Sequence, residues 1–265
     1  MSWLAIEDHV YIVTGGASGI GKAITESLIG AGATVAVLDI SAETGNAAEN
    51  GILNVKTDVT NSDSVKSSVD HVVATLGRLD GLVNNAGINI PRLLVDTKEP
   101  NSKFELNEQS FDLLFQINVK GAFFAAQNVA RHLTTSGTGV IVNISSEAGV
   151  EGSEGQSAYS ATKGAINSFT RSWGKELGKH GVRVVGVAPG INEPTGLTTP
   201  AYNEALAYTR GTTADKLNTD YSKVIPLGKP GTLKDIADLV TYLVSDRASY
   251  VTGTTYAVTG GKSRG

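Results

Sequence analysis

Tyr159 and Lys163 stand four residues apart in Tyr159-Ser160-Ala161-Thr162-Lys163, a spacing that puts a phenol and an ammonium on one face of a helix. A free phenol titrates near pH 10, so the pair offers proton transfer by a tyrosine whose pKa a neighbouring cation lowers toward neutrality. Tyr-x-x-x-Lys alone is frequent by chance and usually decorates a surface. Here an apolar run at 140–144 and the serines Ser145-Ser146 precede it, which raises its weight.

A second chemical feature lies near the start. Thr14-Gly15-Gly16-Ala17-Ser18-Gly19-Ile20-Gly21 follows an apolar strand and opens a helix. Glycines there let the chain turn tightly and bring backbone N–H groups up to a pyrophosphate at the positive end of the helix. The spacing is G-x-x-x-G-x-G, not the G-x-G-x-x-G of longer dehydrogenases. Asp39 closes the next strand 18 residues after Gly21, near the roughly 20 expected for an acid that accepts the ribose hydroxyls. Its carboxylate would repel a 2′-phosphate, and Ala17, Ser18, Ile40 and Ser41 supply no cation to hold one. The expected cofactor is NAD, not NADP. An Asp ending a strand is otherwise a common turn residue.

These side chains need a scaffold, and the pattern supplies one. Short β-branched runs at 9–14, 34–39, 52–56, 82–84, 140–144, 182–187 and 254–258 alternate with helical periodicity at 21–31, 62–76, 108–133, 159–180 and 233–243. Several runs are apolar throughout, which predicts strands buried on both faces of a parallel sheet. The expected fold is α/β, a single-domain Rossmann-like doubly wound parallel sheet with helices on both faces. The domain spans 1–265, with a substrate lid at about 190–228 inside the irregular stretch 189–231, which holds five of the seven prolines.

Composition excludes other classes. There is no cysteine, hence no disulfide framework, thiolate metal site or cysteine nucleophile. Four scattered histidines lack ligand spacing, so no metal is expected. A net charge of −4 with basic residues dispersed argues against nucleic acid and anionic membranes as partners. No apolar run approaches a membrane span, and residues 1–8 lack the features of a signal peptide, so the expected compartment is the cytoplasm. Glycine, at 31 of 265 residues, exceeds the roughly 7% of ordinary proteins without a collagen-like period; the turn at 15–21 accounts for part of that excess.

Taken in order, the Thr14–Gly21 turn, Asp39, Asp58-Val59, Asn84-Asn85-Ala86-Gly87, Asn118, Ser146, Tyr159, Lys163 and Pro189-Gly190 resemble the short-chain dehydrogenase/reductase family over essentially the whole chain. The resemblance implies a catalytic tetrad. Tyr159 would exchange a proton with the substrate oxygen as hydride moves to or from a nicotinamide, and Ser146, 13 residues before it, would hold that oxygen. Lys163 would lower the Tyr159 pKa and reach the nicotinamide ribose, and Asn118 would hold a water that passes the proton on. Ser145 would be structural. The resemblance also implies adenine contacts from Asp58 and Val59, and support for the middle of the cofactor from Asn85, Ala86 and Gly87. Pro189, Gly190 and Asn192 would face the nicotinamide. The family's threonine after the proline is displaced here to Thr195 by an intruding Pro194.

Within the family, Asn192–Leu197, the run 204–211 and the ending 260–265 look like bacterial members that oxidise sorbitol 6-phosphate to fructose 6-phosphate with NAD. A sugar-alcohol phosphate requires cations near the pocket, and Arg92, Lys98, Lys103, Arg210, Lys216, Lys262 and Arg264 are candidates, though each could equally be a solvated charge. The alternatives are a dehydrogenase of an unphosphorylated polyol or other secondary alcohol, a 3-oxoacyl thioester reductase, and a non-catalytic dinucleotide sensor. The helix bearing Phe111, Leu114, Phe115, Phe123 and Phe124 is expected to pack in the core and between subunits, and family analogy implies a homotetramer or homodimer.

Overall fold

The computed structural model describes residues 3–217 and 220–263. Seven parallel strands form one sheet: β1 (Val10–Thr14), β2 (Thr34–Asp39), β3 (Ile52–Lys56), β4 (Gly81–Asn84), β5 (Gly139–Ile144), β6 (Val182–Pro189) and β7 (Thr255–Val258). Their spatial order is β3-β2-β1-β4-β5-β6-β7. The chain therefore winds outward from β1 in one direction, returns, and winds outward from β4 in the other. Between β1 and β4 the connections diverge, leaving a crevice beyond the carboxyl ends of the strands where ligands of such folds bind. All five residues of β1 are buried, whereas β3 at the edge alternates buried and exposed positions.

The helices are α1 (Gly19–Gly30), α2 (Ser62–Leu76), α3 (Glu108–Phe115), α4 (Ala122–Ser136), α5 (Ala148–Glu151), α6 (Ser157–Gly178), α7 (Pro200–Thr209) and α8 (Leu233–Val244). One face of the sheet packs on α1 and α8 through Ile24, Leu28, Ile236 and Val240. The other packs on α2 and α4 through Val65, Val69, Val129 and Leu133, with Trp173 and Leu177 of α6 against them. Caps explain several boundaries. The Asn61 side chain accepts from the backbone N–H groups of Asp63 and Ser64 to start α2, and Thr232 and Asp235 form a capping box that starts α8.

Two helical features depart from the sequence expectation. The helix expected over 108–133 is interrupted by a π-helical turn, Gln116–Gly121, so α3 and α4 are separate segments. Hydrophobic periodicity continues through such a turn and hides it. The stretch expected to be irregular contains α7, started by the Thr199 side chain accepting from Tyr202 N–H, with Pro200 in the first turn.

Candidate active site

A cleft of roughly 640 Å³ opens at the carboxyl ends of the strands. Gly15, Ser18, Gly19, Ile20, Asp39, Asp58, Val59, Asn85, Ala86, Gly87, Ser146, Tyr159, Lys163, Pro189, Gly190 and Asn192 all line it. All but Tyr159 and Lys163, which α6 supplies, lie at or just beyond the ends of six different strands, and the parallel sheet brings them to one place.

The turn at the head of α1 is built to leave donors free. Ser18 is the N-cap residue, yet its side chain makes no cap hydrogen bond, and the first turn carries no acid. The first N–H groups of α1 are left for an external anion. Gly21 does not line the cleft; its role is steric. A Cβ there would fall 2.2 Å from the Gly15 carbonyl oxygen and 2.5 Å from Asn85 Nδ2. That contact matters because Asn85 Nδ2 donates to the carbonyls of Thr14 and Gly15, at 3.0 and 3.1 Å. Thr14 completes the junction, its Oγ1 accepting from the N–H groups of Asn85 and Ala86. Thr14 opens the turn motif in the sequence, but nothing in its spacing announces this bracing role.

The Asp39 carboxylate ends β2 facing the same turn. One oxygen accepts from Ala17 N–H at 3.2 Å, the other from the N–H and hydroxyl of Ser41. Asp58 accepts from the N–H and hydroxyl of Thr60. Leu38 and Ile40 beside Asp39, and Leu113 and Ile117 across from it, give the cleft apolar walls that no motif announces. A planar aromatic base fits between such walls and the carboxylate, and an anionic linker fits the free N–H groups of α1.

At the other end, four residues assemble around Gly87. Asn118 lies on the π-helical turn and is buried outside the cleft lining. Its Oδ1 accepts from Ile88 N–H at 2.8 Å, and its Nδ2 donates to the Ile88 carbonyl and to Thr162 Oγ1. A Cβ on Gly87 would meet Asn118 Oδ1 at 3.1 Å and Lys163 Nζ at 3.7 Å, so both side chains converge on that position. Lys163 Nζ lies 5.8 Å from the centre of the Tyr159 ring, and Ser146 is hydrogen-bonded to the Tyr159 hydroxyl. Ser145 is structural, its hydroxyl donating to the Lys163 carbonyl. Asn192 lines the cleft with its amide folded onto the Gly190 carbonyl at 2.8 Å. Thr195, Gly196 and Leu197 also reach the cleft, so the displaced threonine still arrives there.

The electrostatics differ from the expectation that Lys163 lowers the Tyr159 pKa. Burial pushes the Tyr159 phenol up to about 12, with Tyr202 and Glu147 adding to the rise and the Ser146 hydrogen bond opposing it. Burial also pulls Lys163 down to about 8. The ammonium donates to the Ile144 carbonyl at 2.8 Å, a bond that favours its charged form, yet desolvation outweighs it.

Of the basic residues expected near a substrate anion, Lys262 is ion-paired with Glu147 at 2.8 Å and Lys103 with Glu204 at 2.8 Å. Lys98 sits over the Tyr208 ring and Lys216 is exposed on a short 3-10 turn. Arg264 lies outside the described residues.

A family model described as short chain dehydrogenase matches residues 9–205. The chain belongs to the short-chain dehydrogenase family. It is an oxidoreductase acting on CH–OH groups, its cofactor a nicotinamide dinucleotide and its substrate a small molecule. Among curated relatives, a sorbitol-6-phosphate 2-dehydrogenase from Klebsiella pneumoniae is 54% identical over 100% of this chain and 99% of its own length. A 3-oxoacyl-acyl-carrier-protein reductase from Thermotoga maritima is 37% identical over 97% of this chain and 99% of its own. A solved short-chain dehydrogenase structure, the 3-ketoacyl-acyl-carrier-protein reductase of Brucella melitensis complexed with NADH, superposes with a TM-score of 0.81. It is 27% identical and covers 98% of this chain and 100% of its own. No helix among the described residues is long and apolar enough to cross a membrane.

Proposed function

We propose that this short-chain dehydrogenase oxidises sorbitol 6-phosphate to fructose 6-phosphate with NAD, and catalyses the reverse. The observation that carries the reading is the 54% identity, over the full length of both chains, to the Klebsiella enzyme that bears that activity in its name. NAD is preferred because Asp39 faces the α1 turn through Ala17 N–H, where the carboxylate opposes a 2′-phosphate and accepts from ribose hydroxyls instead.

The residues that would hold the dinucleotide divide along the cleft. Asp39, Asp58 and Val59 take the adenosine end. Gly15, Ser18, Gly19 and Ile20, with the free N–H groups of α1, take the diphosphate. Asn85, Ala86 and Gly87 lie under the middle, and Pro189, Gly190 and Asn192 take the nicotinamide end. A bound dinucleotide supplies the hydride acceptor in oxidation and the donor in reduction. The chain's own work is proton handling. Ser146 Oγ donates to the substrate oxygen and stabilises charge that develops there. Tyr159 Oη takes the alcohol proton in oxidation and returns it in reduction. Lys163 reaches the nicotinamide ribose, and Asn118 orders the water through which the proton leaves. Phe111 and Phe123 are exposed large apolar side chains on α3 and α4, in keeping with a homotetramer or homodimer paired through these helices. The cytoplasm is the compartment, since a multiply charged sugar phosphate does not cross a bilayer unaided.

The test follows NADH formation with sorbitol 6-phosphate, sorbitol and a 3-hydroxyacyl thioester at matched concentrations, each with NAD and with NADP. Sorbitol 6-phosphate with NAD should give the highest kcat/KM. Equal efficiency on sorbitol, or a preference for the thioester, rejects the substrate reading; a preference for NADP rejects the cofactor reading.

A further inference from the structure

Two arginines are pinned to the turn that launches α6. Arg92 N–H donates to the Gly155 carbonyl at 2.7 Å. On its other side Gly155, at φ +73°, lies against Thr209, the last residue of α7: a Cβ on Gly155 would fall 2.2 Å from Thr209 Oγ1. Only glycine permits that approach, and it brings Arg210, the next residue, to the same turn. Arg210 Nη2 reaches Ser153 Oγ at 3.3 Å. The Arg92 backbone and the Arg210 side chain thus both hold the turn at residues 153–156.

Neither guanidinium is in an ion pair among the described residues. Arg92 is half-buried, its Nη1 donating to the Pro91 carbonyl, and burial holds its pKa below the usual arginine range. A partly desolvated cation without a carboxylate is costly unless a ligand supplies the charge. Glu154, the acid of the same turn, is exposed. The site is also oriented toward the reacting groups. Tyr202 accepts from Gln156 Nε2 at 3.1 Å and Asn89 Nδ2 at 3.4 Å. It is close enough to Arg210 and to Tyr159 for electrostatic influence in both directions. Arg210 and the Tyr159 phenol thus share Tyr202 as a neighbour within electrostatic range.

We propose that Arg92 and Arg210 form the subsite for the terminal phosphate monoester of the substrate. A phosphate monoester carries about −1.5 to −2 charges at neutral pH, and a guanidinium presents a planar fork that matches its oxygens. The first turn of α6 holds no acid, and its N-cap Gln156 makes no cap hydrogen bond, so the helix adds positive potential at the same end. Substrate would lie with its reacting carbon at Tyr159 and its phosphate several bonds away against the 153–156 turn.

This inference rests on the proposed sugar-phosphate substrate, and two measurements keep them apart. The first is kcat/KM for sorbitol 6-phosphate and for sorbitol in the wild type, Arg92→Gln and Arg210→Gln, with NADH binding by fluorescence as a check on folding. Each variant should lose at least about tenfold more efficiency on the phosphorylated substrate than on sorbitol, chiefly through KM. An unchanged ratio in both variants overturns the subsite. The second is inhibition by inorganic phosphate, competitive with the polyol, which needs no assumption about the natural substrate. Should the wild type show no preference for the phosphorylated polyol, the substrate reading fails by itself. The subsite then stands if phosphate inhibits the wild type and not the variants, and falls if phosphate inhibits all three alike.

Discussion

The Lys163 ammonium donates to the Ile144 carbonyl at 2.8 Å, so the cation beside the Tyr159 phenol is held by the end of β5 and is itself buried at 6% exposure. That burial pulls its pKa from 10.5 to about 8. Between those values the unfolded chain keeps a proton that the folded chain releases, so this group makes stability rise as pH climbs from about 8 to about 10.5. Below pH 8 its full cost applies, about 3 kcal/mol at about 1.4 kcal/mol per pH unit. Lys163→Met should therefore be inactive, yet about 1–2 kcal/mol more stable than the wild type at pH 7, because the gain is offset by the lost bond to Ile144. Denaturant unfolding at pH 7 and pH 10 checks this. A variant less stable at pH 7 would contradict it.

Tyr159→Phe removes one oxygen and little volume. Turnover should fall by about 10²–10⁴, the range for a positioned acid–base group, while NADH fluorescence titration gives binding close to the wild type. Activity within tenfold of the wild type would remove Tyr159 from the proton path.

Because burial holds the Tyr159 phenol up at about 12, its phenolate is scarce at neutral pH. Alcohol oxidation, which needs an acceptor for the proton, should quicken steadily from pH 6 to pH 9, whereas ketone reduction, which uses the neutral phenol, should vary little. Initial rates in both directions across that range test the assignment. An oxidation profile flat over the whole range would mean that another group takes the proton.

Asp39→Ala deletes the carboxylate opposite the α1 turn. Efficiency with NAD should drop about 10- to 100-fold, the equivalent of one or two charge-assisted hydrogen bonds, and efficiency with NADP should rise. The ratio of the two kcat/KM values is the readout, and an unaltered ratio would mean that Asp39 does not select the cofactor.

In Gly21→Ala the new methyl meets the Gly15 carbonyl and the Asn85 amide. Overpacking of this kind costs roughly 1–3 kcal/mol, a fall in Tm of several degrees for a chain of this size. NADH affinity should weaken along with it, since the turn that must shift is the one with free N–H groups.

Much of this was legible in the residues. Unbroken apolar runs marked the central strands, because a parallel sheet buries both faces. The helix expected over 62–76 is the one the structure shows, with Asn61 capping its start and Gly77 in the left-handed conformation at its end. Asn118, Ser146 and the Tyr159–Lys163 pair were readable as a set only through family order, since no periodicity joins the π-helical turn, the segment after β5 and α6. What stayed hidden was three-dimensional. Lys262 looked available but is ion-paired with Glu147, 115 positions away. Tyr202 carried no motif, and its nearness to Tyr159 depends on α7 docking against Gly155. The rise in the Tyr159 pKa comes from burial, which spacing does not encode.

The π-helical turn at Gln116–Gly121 closes its hydrogen bonds one residue wider than its α-helical neighbours. It therefore stores one surplus residue, and Asn118 sits within it. Deleting one residue there would let the ladder close in α geometry with the residues after it still in phase, so Ala125, Val129 and Leu133 would keep their places against the sheet. What the deletion would remove is the widening that carries Asn118 to Ile88. A single-codon deletion at 116–121 should therefore cost little stability and much activity, a separation that few deletions inside a helix would give.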